Sequence, residues 1–183
     1  MKLELIKMPF DDETNLAESH ILGCPDVPIK WNDDAIFFND EVFVGQINLS
    51  EVKHPTLPSE GVLYFFFASM SKPYRGIVRY ATDLTNLERI DFNEEAPLEF
   101  NYNQEYKINF VDGDSDVALL GKMPKFNGYK PTSNEICLLK LDFKNYPDID
   151  LFKDLTDPVC FLIKKEDLEA CAFDKAYLAN SLN

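Results

Sequence analysis

The chain nearly repeats itself, and this limits its possible folds more than any other feature. The run from Val62 to Asp83 lies without a gap over the run from Val159 to Asn180, and each frame opens on a valine-led apolar stretch and reaches a tyrosine, Tyr80 or Tyr177. Upstream, with small gaps, Leu22 and Gly23 echo Leu120 and Gly121, and Val44 to Leu49 echo Leu138 to Phe143. Two copies of one β-rich unit, each too apolar to stand alone, would pack against each other as one pseudo-symmetric body. The expectation is an α+β, sheet-dominated fold with an internally duplicated β-rich repeat, few short helices and one compact body. It would be a single domain over 1–183, with candidate repeats 19–111 and 117–183.

The local patterns agree with a β-rich reading. Glu41 to Leu49 and Gly61 to Ala68 read as strands. Alternation in the first puts Phe43, Ile47 and Leu49 on one face and Val44, Gln46 and Asn48 on the other. The second is apolar on both sides, so Val62 to Phe67 reads as a buried central strand. Shorter strands are expected over 76–81, 87–92, 98–102, 105–111, 136–143 and 159–164, with Tyr177 and Leu178 closing the sheet. Residues 3–7 fit a strand or a short helix. Helical turns are expected within 148–155, and a helix over 165–172 with Leu168 and Cys171 on one face. Gly23, Pro25 and Pro28 predict that 19–31 is an ordered but irregular loop seated by Trp31.

Charge narrows the partners. The chain has 32 acidic and 18 basic residues, a net charge of -14, and the imbalance is shared evenly between its halves. A field of that sign repels nucleic-acid phosphates and anionic lipid heads and draws in basic proteins, so neither nucleic acid nor membrane is expected as a partner. No apolar run is long enough to span a bilayer, and charges interrupt the first residues, so a cytoplasmic location is expected. Cys24, Cys137, Cys160 and Cys171 have no paired spacing and read as free thiols.

The chemistry-bearing patterns are weak. Asp112, Asp114 and Asp116 alternate like the start of a calcium loop, but position six is Val117 and position twelve is Met123, so the run reads as an acidic turn. His20 and His54 sit in Pro-flanked loops, with Asp11, Asp12, Ser19 and Cys24 near His20. No nucleophile elbow or oxyanion loop accompanies them. Phosphate-cradling glycine motifs are absent. The reading is therefore no catalytic residue, no cofactor and no metal ligand. Gln46 and Asn48 are the polar exceptions on an apolar strand. They either fasten neighbouring loops or, with Trp31, line a binding groove between the repeats.

Ser19, Gly23, Pro25, Pro28 and Trp31, then Gln46 to Glu51, then Leu57, Pro58, Gly61, Leu63, Phe65 and Phe66, resemble the linear signature of the YwqG-like family of largely uncharacterised bacterial proteins. Lys165 to Leu168 followed by Phe173 to Lys175 resembles that family's closing segment. The chain departs from it at Leu155 to Pro158, where the family carries a Gly-rich, Trp-containing approach to its last strands. The resemblance implies a duplicated, sheet-dominated fold and no particular reaction. With the charge, the expected function is a non-enzymatic acidic interaction protein whose partner is a basic protein, an immunity protein against a basic toxin being one form. The alternative is a small-molecule-binding protein or hydrolase using a groove between the repeats. A scaffold or oligomer subunit is a third reading.

Overall fold

The computed structural model describes residues 1–9, 14–38, 40–68, 70, 74–91, 104–153 and 155–179. The expected strand over 98–102, the end of that over 87–92, and Asp11 and Asp12 lie outside the described residues. Ten strands form one sheet in the order β12-β11-β10-β9-β1-β8-β2-β4-β5-β6. They are β1 (Lys2–Lys7), β2 (His20–Ile21), β4 (Glu41–Asn48), β5 (Val62–Ala68), β6 (Arg75–Ala81), β8 (Tyr106–Val111), β9 (Val117–Leu119), β10 (Glu135–Leu141), β11 (Val159–Lys164) and β12 (Tyr177–Ala179). The sheet curls until β6 meets β12, so it is nearly closed. A separate two-stranded sheet pairs β3 (Asp26–Pro28) with β7 (Leu87–Arg89). The helices are short, α1 (Ile29–Asp33) and α2 (Lys165–Glu169).

The interior of the curl is the main core. Leu63, Phe65 and Phe67 of β5 face Val159, Phe161 and Ile163 of β11 within it. Phe65 and Phe161 meet edge to face at 5.1 Å across the middle. Full burial of each such ring contributes about 1.5–3 kcal/mol. Trp31, Phe37, Tyr64 and Phe66 belong to a second cluster on the outer face of β4 and β5, under the loops of the first half. A third, around Cys137, Cys160 and Leu162, lies on the outer face of β10 and β11.

The strands flank the central pair β1 and β8 in the same order on both sides, β2-β4-β5-β6 and β9-β10-β11-β12. Leu22 (φ 59°) donates its N–H to Val44 at 2.9 Å, and Leu120 (φ 47°) donates to Leu138 at 2.9 Å. A register shift marks both acceptor strands, between Phe43 and Gly45 and between Cys137 and Leu139. The ungapped alignment of Val62 on Val159 is displaced by one residue. Phe65 pairs with Gly45 and Val78, as Phe161 pairs with Leu139 and Leu178. A one-residue slip exchanges the faces of a strand, so only the shifted frame keeps interior on interior. By place in the pairings Tyr177 stands where Ile77 does and not where Tyr80 does: Tyr177 pairs with Leu162, and Ile77 with Phe66.

Other expectations need correction. The bulge at Val44 breaks the alternation of β4, so Phe43 joins the outer cluster while Val44 and Ile47 face the interior. Residues 19–31 are not wholly irregular, because β2, β3 and the start of α1 lie within them, before, between and after the two prolines. Pro28 immediately precedes α1, where its missing N–H costs nothing. The described residues 148–153 make turns in place of helix, with Ile149 and Leu151 buried in the main core. Helix α2 stops at Glu169, and Cys171 beyond it is exposed with φ 54°, off the face of buried Leu168. Residues 3–7 fall within a strand, β1.

Candidate functional site

The outer face of β4 carries a buried polar network. Gln46 is fully enclosed and holds Asp26 twice: its Oε1 accepts from the Asp26 N–H at 2.9 Å, and its Nε2 donates to Asp26 Oδ2 at 2.8 Å. The same Nε2 donates to the Glu18 carbonyl at 2.9 Å. Asn48 donates to the Ala17 carbonyl at 2.9 Å and accepts from the Ser50 N–H at 3.0 Å. Both amides therefore clamp the 14–28 segment onto the sheet. Gln46, buried with its partners met, has nothing to present to a ligand, and half-buried Asn48 lines neither the cavity at 28–86 nor that at 141–159.

Pairing of β3 with β7 brings Arg89 opposite Asp26. The guanidinium forks onto this carboxylate, Nε to Oδ1 at 2.7 Å and Nη2 to Oδ2 at 3.0 Å. Its Nη1 stands 4.0 Å from Glu105 Oε2, and Glu105 Oε1 accepts from the Thr14 N–H at 2.6 Å. His20 lies beside them, fully buried. Its Nε2 is 3.2 Å from the Cys24 carbonyl and 4.0 Å from Glu105 Oε2, and its Nδ1 is 3.2 Å from Thr14 Oγ1 and 3.1 Å from the Glu18 carbonyl. A neutral ring has one N–H and so donates to one of these two carbonyls, that of Cys24 through Nε2 or that of Glu18 through Nδ1; with the proton on Nε2 the Thr14 hydroxyl can donate to Nδ1. Burial pushes the His20 pKa below its ordinary value, against the upward pull of the Glu105 and Asp26 carboxylates.

Ser19 Oγ accepts from the Asn48 N–H at 2.8 Å, and no hydrogen bond joins it to His20. Asp114 binds Lys140 at 2.9 Å while Asp116 binds Asn145 at 2.7 Å, so the Asp112 to Asp116 run spreads its carboxylates onto separate partners. Among the described residues no group of three His, Cys, Asp or Glu side chains is placed to hold a metal ion. On β10, Glu135 accepts from both Tyr129 and Tyr177. Partial burial opposes ionisation there, but hydrogen bonds from Tyr177, Thr132 and Tyr129 bring this carboxyl down to about 2.

Trp31 alone of the three groove candidates lines an open cleft. This cleft, about 580 Å³, lies between α1 with Pro28 on one side and the segment from Tyr80 to Asn86 on the other. Its volume is within the usual range for ligand sites, about 300–1,000 Å³. Trp31 stands edge to face with Tyr64 at 5.3 Å, and the Tyr64 hydroxyl donates to the Asp26 carbonyl at 2.5 Å. The cleft floor is thus tied to the buried network. Lys30, Asp33 and Asp83 are the charged groups that line it. Hydrogen bonds from Thr85 hold the Asp83 carboxyl below its ordinary pKa, so it is ionised at neutral pH. A smaller cavity, about 260 Å³, is formed by the 141–159 segment. Neither cavity is lined from both halves of the sheet, whose central strands β1 and β8 are zipped over six residue pairs.

Arg89, Asp26 and Glu105 escape the sequence reading. Nothing local links positions 26, 89 and 105, and only the β3 and β7 pairing with the start of β8 brings them together. No family model matches the chain, and no curated protein matches it. Among the described residues no helix is long and apolar enough to cross a membrane.

The His20 geometry sets a pH dependence. Above about pH 6.5, the unfolded value, the ring is neutral in both states and its contribution to stability is complete. As pH falls below that value the unfolded chain takes up a proton that the folded chain refuses, so stability is lost toward the depressed folded pKa. Urea unfolding between pH 7.5 and 5.5 should show a slope approaching about 1.4 kcal/mol per pH unit. His54 is also shifted down by burial but is much more open, so His54→Gln should keep most of the slope and His20→Gln should remove it. An unchanged slope in His20→Gln defeats the assignment.

Proposed function

We propose that this protein is a non-enzymatic, acidic binding protein that engages a basic protein partner, and that the Trp31 cleft belongs to its binding surface. The observation carrying this reading is the disposition of its charge. Buried Asp26 and Glu41 are each forked by an arginine, and Glu105 accepts from the Thr14 N–H, while the net charge of -14 is left to act outward. A field of that sign speeds association with a cationic surface and selects against acidic ones. An immunity role against a basic toxin is one form of this reading.

The strand order further supports the proposal that the chain is two copies of one unit, β1-β2-β4-β5-β6 and β8-β9-β10-β11-β12, with their first strands exchanged. On this reading β1 sits beside β9 and β8 beside β2. The repeat boundaries then move from 19 and 117 to the starts of β1 and β8. The similarity of Ser19, Gly23, Pro25, Pro28, Trp31 and Gln46 to the YwqG-like signature fits the same architecture, since those residues build or clamp the loop over β4.

An affinity pull-down from the host, washed at rising salt, tests the function. A stoichiometric basic protein retained at low salt and released as the Debye length falls from about 10 Å at 0.1 M to 3 Å at 1 M is the expected outcome. Retention of nothing, or of a partner indifferent to salt, defeats it.

A further inference from the structure

The cleft is specific enough in shape and charge to name the group it takes. Resting on the proposed binding function, we infer that the Trp31 cleft receives an arginine side chain of the basic partner, its guanidinium against the Trp31 indole and toward the carboxylates of Asp33 and Asp83. The charges lining the cleft are these two carboxylates against the single ammonium of Lys30, so it is net acidic within a chain of net charge -14. Its remaining walls are apolar or uncharged, among them Pro28, Ile29 and Ala81. Partly dry aromatic walls strengthen attraction to a cation. A volume of about 580 Å³ exceeds one side chain and leaves room for the peptide backbone that carries it.

The protein already builds this arrangement with its own chain next door. Arg79 forks onto Glu41, Nη1 to Oε2 at 2.7 Å and Nη2 to Oε1 at 2.8 Å, and its guanidinium lies 4.9 Å from the Phe37 ring centre and 5.1 Å from that of Phe66. Phe37 is in turn the edge-to-face neighbour of Trp31 at 6.4 Å. Arginine is favoured over lysine because a planar guanidinium stacks on a ring while still donating to carboxylates, whereas an ammonium is a compact, strongly hydrated point charge.

Trp31 is the only tryptophan, so its emission reports this cleft alone. The probe is a capped glycine pentapeptide with one central arginine, compared with versions carrying lysine or the uncharged isostere citrulline. The arginine peptide should change Trp31 emission saturably and bind more weakly at high salt, lysine should bind several-fold more weakly, and citrulline should not bind. Asp33→Asn combined with Asp83→Asn should weaken the arginine peptide about tenfold. Because Asp83 also orders its turn, Asp33→Asn alone is measured too, with unfolding curves confirming that each variant is folded. No saturable change, equal binding of citrulline, or no effect of either variant overturns the inference. If the host partner is still captured by the folded double variant as tightly as by the native protein, the cleft assignment fails and the interaction function stands. If the native protein captures no basic partner, the function itself fails.

Discussion

Replacing Arg89 with alanine is expected to lower folding stability by about 3–5 kcal/mol, because it strands buried charge. The Asp26 side chain has no exposed surface and that of Glu105 only 5%, and Arg89 is the cation between them. Asp26 retains Gln46 and Ala17 as donors after the substitution, so its hydrogen bonds survive in part while its countercharge does not. The loss should therefore be electrostatic in origin and partly reversible: adding Asp26→Asn to Arg89→Ala removes the stranded charge and should recover a measurable share. Lys107 is the control. It pairs with Glu18 at 2.6 Å but its side chain is 42% exposed, so Lys107→Ala should cost no more than about 1 kcal/mol. Urea denaturation of the three variants beside the native protein decides the matter. A loss below about 1 kcal/mol for Arg89→Ala would mean that water solvates the network and that the 14–28 segment is held by its other ties, among them Gln46, Asn48 and the pairing of β2.

What could be read in the residues was whatever depends on neighbours in sequence. Val62 to Phe67 has no polar position, and it is the buried strand β5. Trp31 was expected to seat its loop, and it does so on Tyr64 and Phe37. The failures come where one residue changes the frame. Val44 is an extra residue in β4, and it inverts the face assigned to Phe43 because strand periodicity counts in twos. The ungapped alignment departs from strand position by the same step, since Phe65 and Phe161 hold like places in their pairings while Val62 and Val159 do not. Ile149 and Leu151 look helical in composition, but both reach into the core from consecutive turns. The proposed binding surface was legible only in part. Trp31 was marked, but Asp33 and Asp83 are ordinary among 32 acids until the fold lines one cleft with both of them and Trp31. Gln46 and Asn48 stood out as polar residues on an apolar strand for a structural reason: the loop above them needed fastening.

The seam between β6 and β12 carries the second large expectation. Substituting Gly76 with valine should destabilise the protein by about 3 kcal/mol or more, and alanine by about 1–3 kcal/mol, because side-chain volume there meets main chain. A Cβ at Gly76 would stand 2.7 Å from the Leu178 nitrogen and 3.1 Å from its Cα, atoms that cannot rotate aside as a side chain would. Glycine is present here for closeness and not for its backbone freedom, since its φ lies in the range open to every residue. Relief requires β12 to move away from β6, which pulls apart the Tyr80 and Phe173 rings that meet at 5.0 Å and exposes Leu178 to water. Because β12 has only three residues and β11 as its hydrogen-bonded neighbour, the damage should begin there. Amide exchange at Tyr177 to Ala179 should accelerate in Gly76→Ala well before exchange in β4 and β5, which lie deep in the sheet. Unchanged stability together with unchanged exchange in β12 would mean that the two edges do not close on one another in solution. Local acceleration would instead show that the curled sheet is held shut at this seam by packing around a missing side chain.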